Sequence, residues 1–255
     1  MPDWTDRFSL AGRTALVTGA SKGIGAEICT VFADAGADIV AVARDPAGLD
    51  KVARSVAEKG RSCVTEVCDL ADAGAIDALC DKVNAAGKVD ILVNNAGIAL
   101  IGSALDYSLA DWDRTMHVNL RAPFQLAQRL APAMIEQRWG KIINVSSQAG
   151  VIAVEEHSAY SASKAAMNAL TRALMCEWAR HNVQVNAICP NVVLTDMGRE
   201  VWGAEEKSKP MISRTPLGRF GEQVEVADMA LYLASNASAF VNGESLMLDG
   251  GYAAV

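Results

Sequence analysis

Several functions depend on residues that this chain has few of. Only three of its 255 residues are His, and 5% are aromatic. No apolar run reaches the roughly 18 residues that span a bilayer, so no membrane partner is expected. Lys and Arg number 23 against 30 Asp and Glu, a formal net charge of −7. Nucleic acid needs a basic face, so it is not an expected partner either, although a local basic pocket for phosphate stays open. The six cysteines, Cys29, Cys63, Cys68, Cys80, Cys176 and Cys189, contain no C-x-x-C pair, and no His cluster completes a zinc spacing. No metal is expected; the cysteines read as reduced thiols, mostly buried. Residues 1–11 are polar and acidic with no apolar core, unlike a secretory signal, and a cytoplasmic location is the default. No repeat, low-complexity stretch or linker divides the chain, which reads as a single domain over 1–255.

What the chain does have is an alternation. Short apolar, β-branched runs at 14–18, 38–43, 63–68, 91–94, 141–146, 184–189 and 245–248 are separated by helical patterns at 23–35, 47–59, 73–86, 111–138, 159–181 and 224–234. Apolar strands joined by helices make a parallel sheet covered on both faces. The expected fold class is α/β: a doubly wound, Rossmann-type parallel sheet of about seven strands, with ligands at the carboxyl ends of the strands. One long irregular segment, 196–216, is rich in charge and carries Trp202. Its length suggests a substrate lid.

Gly19, Gly23 and Gly25 lie in the turn between the first strand and first helix, with Ser21, Lys22 and Ile24 among them. Glycines let the backbone approach a pyrophosphate, and the helix N-terminus supplies N–H groups and a positive dipole. The end of the second strand sets the choice of dinucleotide. An acid there would accept from the ribose 2′-hydroxyl of NAD; instead the chain reads Ala43-Arg44-Asp45. A guanidinium suits a 2′-phosphate, and Lys22 can add charge to it. NADP(H) is therefore favoured, with NAD(H) the alternative should Asp45 turn inward or pair with Arg44.

The turn is spaced T-G-x-x-x-G-x-G, from Thr18 to Gly25. With Asn94-Asn95-Ala96-Gly97 after the fourth strand and Tyr160-x-x-x-Lys164, it resembles the short-chain dehydrogenase/reductase family from about Leu10 to Tyr252. The resemblance implies that Gly19, Ser21, Lys22, Gly23, Ile24, Gly25 and Arg44 hold the cofactor. It adds Asp69 and Leu70 around the adenine, Asn95 at the adenosine-side ribose, and Ala96 and Gly97 beside it. Val193 and Thr195 would hold the carboxamide, and Tyr160 and Lys164 the nicotinamide end. The family's Pro-Gly after the sixth strand is Pro190-Asn191 here, and Asn tolerates the left-handed backbone better than most residues.

Tyr160 and Lys164, four apart on one helix face, suit proton transfer to a developing alkoxide. The ammonium is expected to stabilise the phenolate and lower its pKa. Ser147, thirteen residues before the tyrosine, would polarise the carbonyl. Ser146 competes on sequence, and the family spacing selects Ser147. Asn119 matches the asparagine that anchors a proton relay to the lysine. The catalytic set is thus Asn119, Ser147, Tyr160 and Lys164.

Around it, Ser147, Gln148, Val154, His157, Tyr160 and Trp202 resemble the pocket of L-xylulose/dicarbonyl reductases. Gln148 and His157 can hydrogen-bond hydroxyls, and Trp202 can cover a sugar face. The resulting expectation is an oxidoreductase moving hydride between NADP(H) and a carbonyl or secondary alcohol, a ketose/polyol or a dicarbonyl. A 3-oxoacyl-thioester reductase is the alternative enzyme, and a non-catalytic dinucleotide sensor the alternative of another class. The helices at 111–138 and 159–181 carry more Ala and Leu than one core face requires, and family members pair them into homotetramers.

Overall fold

The structure, a computed structural model, describes residues 3–195, 202 and 204–255. Seven strands form one sheet: β1 Thr14–Thr18, β2 Asp38–Ala43, β3 Cys63–Val67, β4 Ile91–Asn94, β5 Gly140–Val145, β6 Val183–Pro190 and β7 Ser245–Leu248. Their spatial order is β3-β2-β1-β4-β5-β6-β7, and every pairing is parallel. The order reverses between β1 and β4, so a crevice opens beyond their carboxyl ends.

Helices cover both faces: α1 Gly23–Asp34, α2 Pro46–Glu58, α3 Ala73–Ala86, α4 Leu109–Met116, α5 Ala122–Glu136, α6 Ser158–Trp178, α7 Glu205–Arg214 and α8 Gln223–Ala234. Adjacent residues of one strand feed different cores. Val17 packs with Ile28 and Phe32 of α1 and Val226 and Leu233 of α8, whereas Leu16 packs with Ile76 of α3 and Leu126, Leu130 and Met134 of α5. Each such side chain contributes about 1.5–3 kcal/mol on burial. The core is therefore split by the sheet, and the strand ends are held rigidly from both sides. Cys29, Cys68, Cys80 and Cys189 are buried, Cys63 is partly buried and Cys176 is exposed; none is bridged.

The single helix expected over 111–138 is in fact two. Between α4 and α5 the chain makes a π turn, His117–Arg121, in which the N–H of Ala122 bonds the carbonyl of His117 five residues back. Pro123 supplies a reason. It has no N–H to offer the carbonyl of Asn119, four residues earlier, so a regular α-helical bond cannot close there. Of the expected lid at 196–216, residues 196–201 and 203 lie outside the described residues; α7 occupies its second half.

Candidate active site

The crevice is a cleft of about 560 Å³ running from the end of β2 to Trp202. Gly19, Ser21, Lys22, Gly23, Ile24, Arg44, Asp69, Leu70, Asn95, Ala96, Gly97, Val193 and Thr195 line it, as do Ser147, Gln148, Val154, His157, Tyr160, Lys164 and Trp202. Two expected residues do not. Gly25 is buried behind the turn, where a Cβ would stand 2.3 Å from the Gly19 carbonyl oxygen. Its role is to let the helix backbone pack on the turn. Asn119 is fully buried one layer behind the lysine.

Asn95 lines the cleft and is also tied to the protein itself. Its Nδ2 donates to the carbonyls of Thr18 (2.9 Å) and Gly19 (3.3 Å), so the amide braces the glycine turn from below. Gly19 has φ +66°, and a Cβ on it would meet that same Nδ2 at 2.9 Å. The strand-to-helix turn and the loop after β4 thus interlock through a glycine that no other residue can replace.

Asp45 caps α2 by accepting from Ala47 N–H at 3.1 Å, and Asp72 caps α3. By contrast α1 carries no side-chain cap and no acid in its first turn. An uncapped helix N-terminus against a glycine turn fits a dinucleotide's pyrophosphate. Gly48 was missed by sequence reasoning: a Cβ there would stand 2.6 Å from the Ser21 carbonyl, so its absence lets α2 press against the glycine turn. Arg44 is exposed at the cleft rim, next to an aspartate occupied with its helix cap.

At the other end, Ser147 and Tyr160 line the cleft together, and the Ser147 hydroxyl accepts from Ala149 N–H at 3.1 Å. Ser146 is engaged elsewhere, its hydroxyl donating to the Lys164 carbonyl at 3.1 Å. Burial holds the Tyr160 phenol above its usual value, and the neighbouring Ser147 hydroxyl pulls partly against that. The lysine is held by the main chain. Lys164 Nζ donates to the Val145 carbonyl at 2.7 Å and stands 5.7 Å from the centre of the Tyr160 ring. Burial pulls its pKa down to about 8.

Asn119 is fixed by both ends of its amide. Oδ1 accepts from Ile98 N–H at 2.9 Å, while Nδ2 donates to the Ile98 carbonyl at 2.9 Å and to Ser163 Oγ at 3.1 Å. A Cβ on Gly97 would lie 3.4 Å from Asn119 Oδ1 and 3.5 Å from Lys164 Nζ. This glycine therefore keeps open the space between the asparagine and the lysine.

The pocket side is equally built. His157 Nδ1 faces the Glu155 carbonyl at 2.5 Å, and its ring stacks on Trp202 (centroids 6.3 Å) and meets Tyr160 edge-on (6.1 Å). Glu156 has φ +60°, an unusual conformation for a non-glycine residue, and its carbonyl is held by Gly102 N–H. Asn191 was expected to supply a left-handed turn, yet its φ is not positive. It is present for its side chain, which bonds Gln148, Val192 and Asp249. Cys68, Arg114, Val118 and Met211 also line the cleft. Nothing in their residue type or spacing announced it.

This geometry can bind a dinucleotide along the strand ends and present a phenol, a hydroxyl and a buried amine to one reacting carbon. A family model described as enoyl-(acyl carrier protein) reductase matches residues 19–253. The chain is 40% identical over 246 residues to D-threitol dehydrogenase of Mycolicibacterium smegmatis, covering 96% of this chain and 94% of the relative. It is 42% identical over 248 residues to mouse (Mus musculus) L-xylulose reductase, covering 97% and 99%. The crystal structure of a gluconate 5-dehydrogenase from Burkholderia cenocepacia, in complex with NADP and tartrate, superposes with a TM-score of 0.95 at 37% identity, covering 99% and 100%.

Proposed function

Since the chain belongs to the short-chain dehydrogenase/reductase family, as an NAD(P)-dependent alcohol/carbonyl oxidoreductase, we propose that it interconverts a small polyol and its ketose with NADP(H). The observation that carries this is that Gln148 and His157 line the same cleft as Tyr160 and Ser147. The relatives named above are polyol and ketose enzymes, which supports the same reading. The family model's own description favours an acyl substrate. Yet a long acyl chain wants an apolar channel, whereas this cleft places an amide and an imidazole beside the tyrosine.

In reduction, Tyr160 gives its phenolic proton to the carbonyl oxygen while Ser147 donates to the same oxygen and polarises it. The dinucleotide, when bound, supplies or takes the hydride. Lys164 would orient it through the ribose, and Asn119 would support the lysine's proton supply from behind. Arg44 and Lys22 would hold the 2′-phosphate. The remaining part of the reading is a single domain that closes a lid carrying Trp202 and assembles as a homotetramer in the cytoplasm. Among the described residues no helix is long and apolar enough to cross a membrane.

The test is a panel of C4–C6 polyols, ketoses, diketones and 3-oxoacyl thioesters, run with both dinucleotides. NADP(H)-linked turnover of a ketose/polyol pair is the expected result. Turnover of thioesters alone, or of nothing, would overturn the assignment.

A further inference from the structure

Gly48 sits buried in the first turn of α2. Its φ is not positive, so the backbone conformation there does not call for glycine. Glycine inside a helix is less stable than alanine, and a different demand must hold it. That demand is space. A Cβ on Gly48 would stand 2.6 Å from the Ser21 carbonyl oxygen, 2.7 Å from Ser21 Cβ and 2.8 Å from Asp45 Oδ2.

All three atoms belong to residues at one end of the cleft. Ser21 and Lys22 from the glycine turn, and Arg44 and Asp45 from the end of β2, line it there; Gly48 itself does not. Asp45 Oδ1 accepts from Ala47 N–H at 3.1 Å, which ties the carboxylate to α2. The helix cannot simply retreat from a larger residue at 48. Leu49, next in the chain, is buried in the core with Ile28 and Phe32 of α1. Thr30 of α1 and Ser55 of α2 share a hydrogen bond of 3.2 Å that joins the two helices further along. What is left to yield is the Asp45 side chain and the turn at Ser21.

We infer that Gly48 is a positioning residue for the choice of dinucleotide: its missing side chain lets Asp45 stay on its helix cap, which leaves the rim at Arg44 and Lys22 to a 2′-phosphate. This rests on the NADP(H) reading above and deepens it. A Cβ at 48 pushes the Asp45 carboxylate off the cap. A carboxylate released at the end of β2 accepts from a ribose 2′-hydroxyl and repels a 2′-phosphate. One methyl group, added outside the cleft, thereby turns the ribose end from NADPH towards NADH.

The experiment measures Kd for NADPH and for NADH, from the fluorescence of the reduced dinucleotide, in the wild type, Gly48→Ala, Asp45→Asn and the double variant. Melting followed by circular dichroism checks that each is folded. Asn caps a helix as Asp does but carries no charge. Gly48→Ala should raise Kd for NADPH about tenfold or more, the scale of one charge-assisted hydrogen bond, and leave NADH within about threefold. Asp45→Asn on the Gly48→Ala background should bring NADPH back to within about threefold of the wild type. Should Gly48→Ala not fold, Ala47→Pro removes the N–H that holds Asp45 and leaves Gly48 alone, since proline is tolerated in a first helical turn. It should shift the two constants in the same way. Equal losses for both dinucleotides, no loss, or a loss that Asp45→Asn does not recover would overturn the inference while leaving the NADP(H) reading intact. A wild type that binds NADH as tightly as NADPH removes that reading and the inference with it.

Discussion

Lys164 donates its buried ammonium to the main-chain carbonyl of Val145, 2.7 Å away, at the end of β5. The strand end thus stores the lysine in place, within reach of both Tyr160 and the gap kept by Gly97. It also explains why the phenol is not acidified in this form: the cation is engaged elsewhere, and burial governs Tyr160.

The first prediction concerns the acid itself. Tyr160→Phe should lower kcat by about 10²–10⁴-fold, the scale of general acid catalysis, with NADPH affinity close to wild type. Stopped-flow and binding titrations measure the two separately. Retention of a tenth of the wild-type rate would exclude Tyr160 as the acid.

The pH dependence follows from the sign of the tyrosine shift. A phenol raised above its usual value keeps its proton throughout the neutral range. Reduction needs that proton, so its kcat/KM should be flat from about pH 6 to 8. Oxidation needs the conjugate base, so its rate should climb as pH rises beyond that range. Profiles in both directions decide the matter, and an oxidation rate that falls with pH would contradict it.

Cofactor choice is open to a similar test. With Arg44 and Lys22 at the ribose end and Asp45 held as a helix cap, NADPH should be preferred by at least about tenfold in kcat/KM. Arg44→Ala should erode the preference mainly through weaker NADPH binding, and Ala43→Asp should reverse it. Equal or better kinetics with NADH would refute the assignment.

Gly150 provides a packing test remote from substrate. A Cβ there would stand 2.8 Å from the Lys164 carbonyl carbon and 2.9 Å from Ala165 N. Gly150→Ala should therefore cost about 1–3 kcal/mol of stability by overpacking and lower kcat, because the displaced backbone carries the lysine. Gly87→Ala, which meets nothing within 4 Å, is the control and should melt like wild type.

Assembly is tested most simply. Leu109 on α4 and Phe124 on α5 are exposed in the single chain, as expected for helices that pair with another copy. Light scattering should give a tetramer at micromolar concentration, and a stable monomer would end that part of the reading.

The strands and the cleft lining were legible in the sequence because both rest on local signals. Apolar runs mark strands, and glycines mark places where backbone must come close. What was not legible has a different cause. Asn95 and Asn119 were expected at the ribose and the proton relay, and Asn191 at a left-handed turn, whereas the bonds each amide makes to the protein's own backbone were not foreseen. An amide's partners are set by tertiary neighbours seventy or more residues away in the case of Asn95 and Thr18, and no spacing rule reports them. Gly48 and Gly150 escaped for the same reason, since what they touch lies on other elements. The break in the helix at 117–121 was in principle readable. Pro123 stands four residues after Asn119 and forbids the regular bond.

That break makes stability and activity separable by a single deletion. A π turn contains one residue more than the α-helical turn it replaces, and the extra residue is accommodated at Asn119 rather than in the core. Removing Val118 should shorten this turn by one residue, without supplying the bond that Pro123 cannot make, while Leu126, Leu130 and Met134 keep their places against the sheet. The shortened chain would then fold and melt much as before, and yet hold the Asn119 amide out of register behind Lys164. The active site is built on a surplus residue that the fold itself can do without.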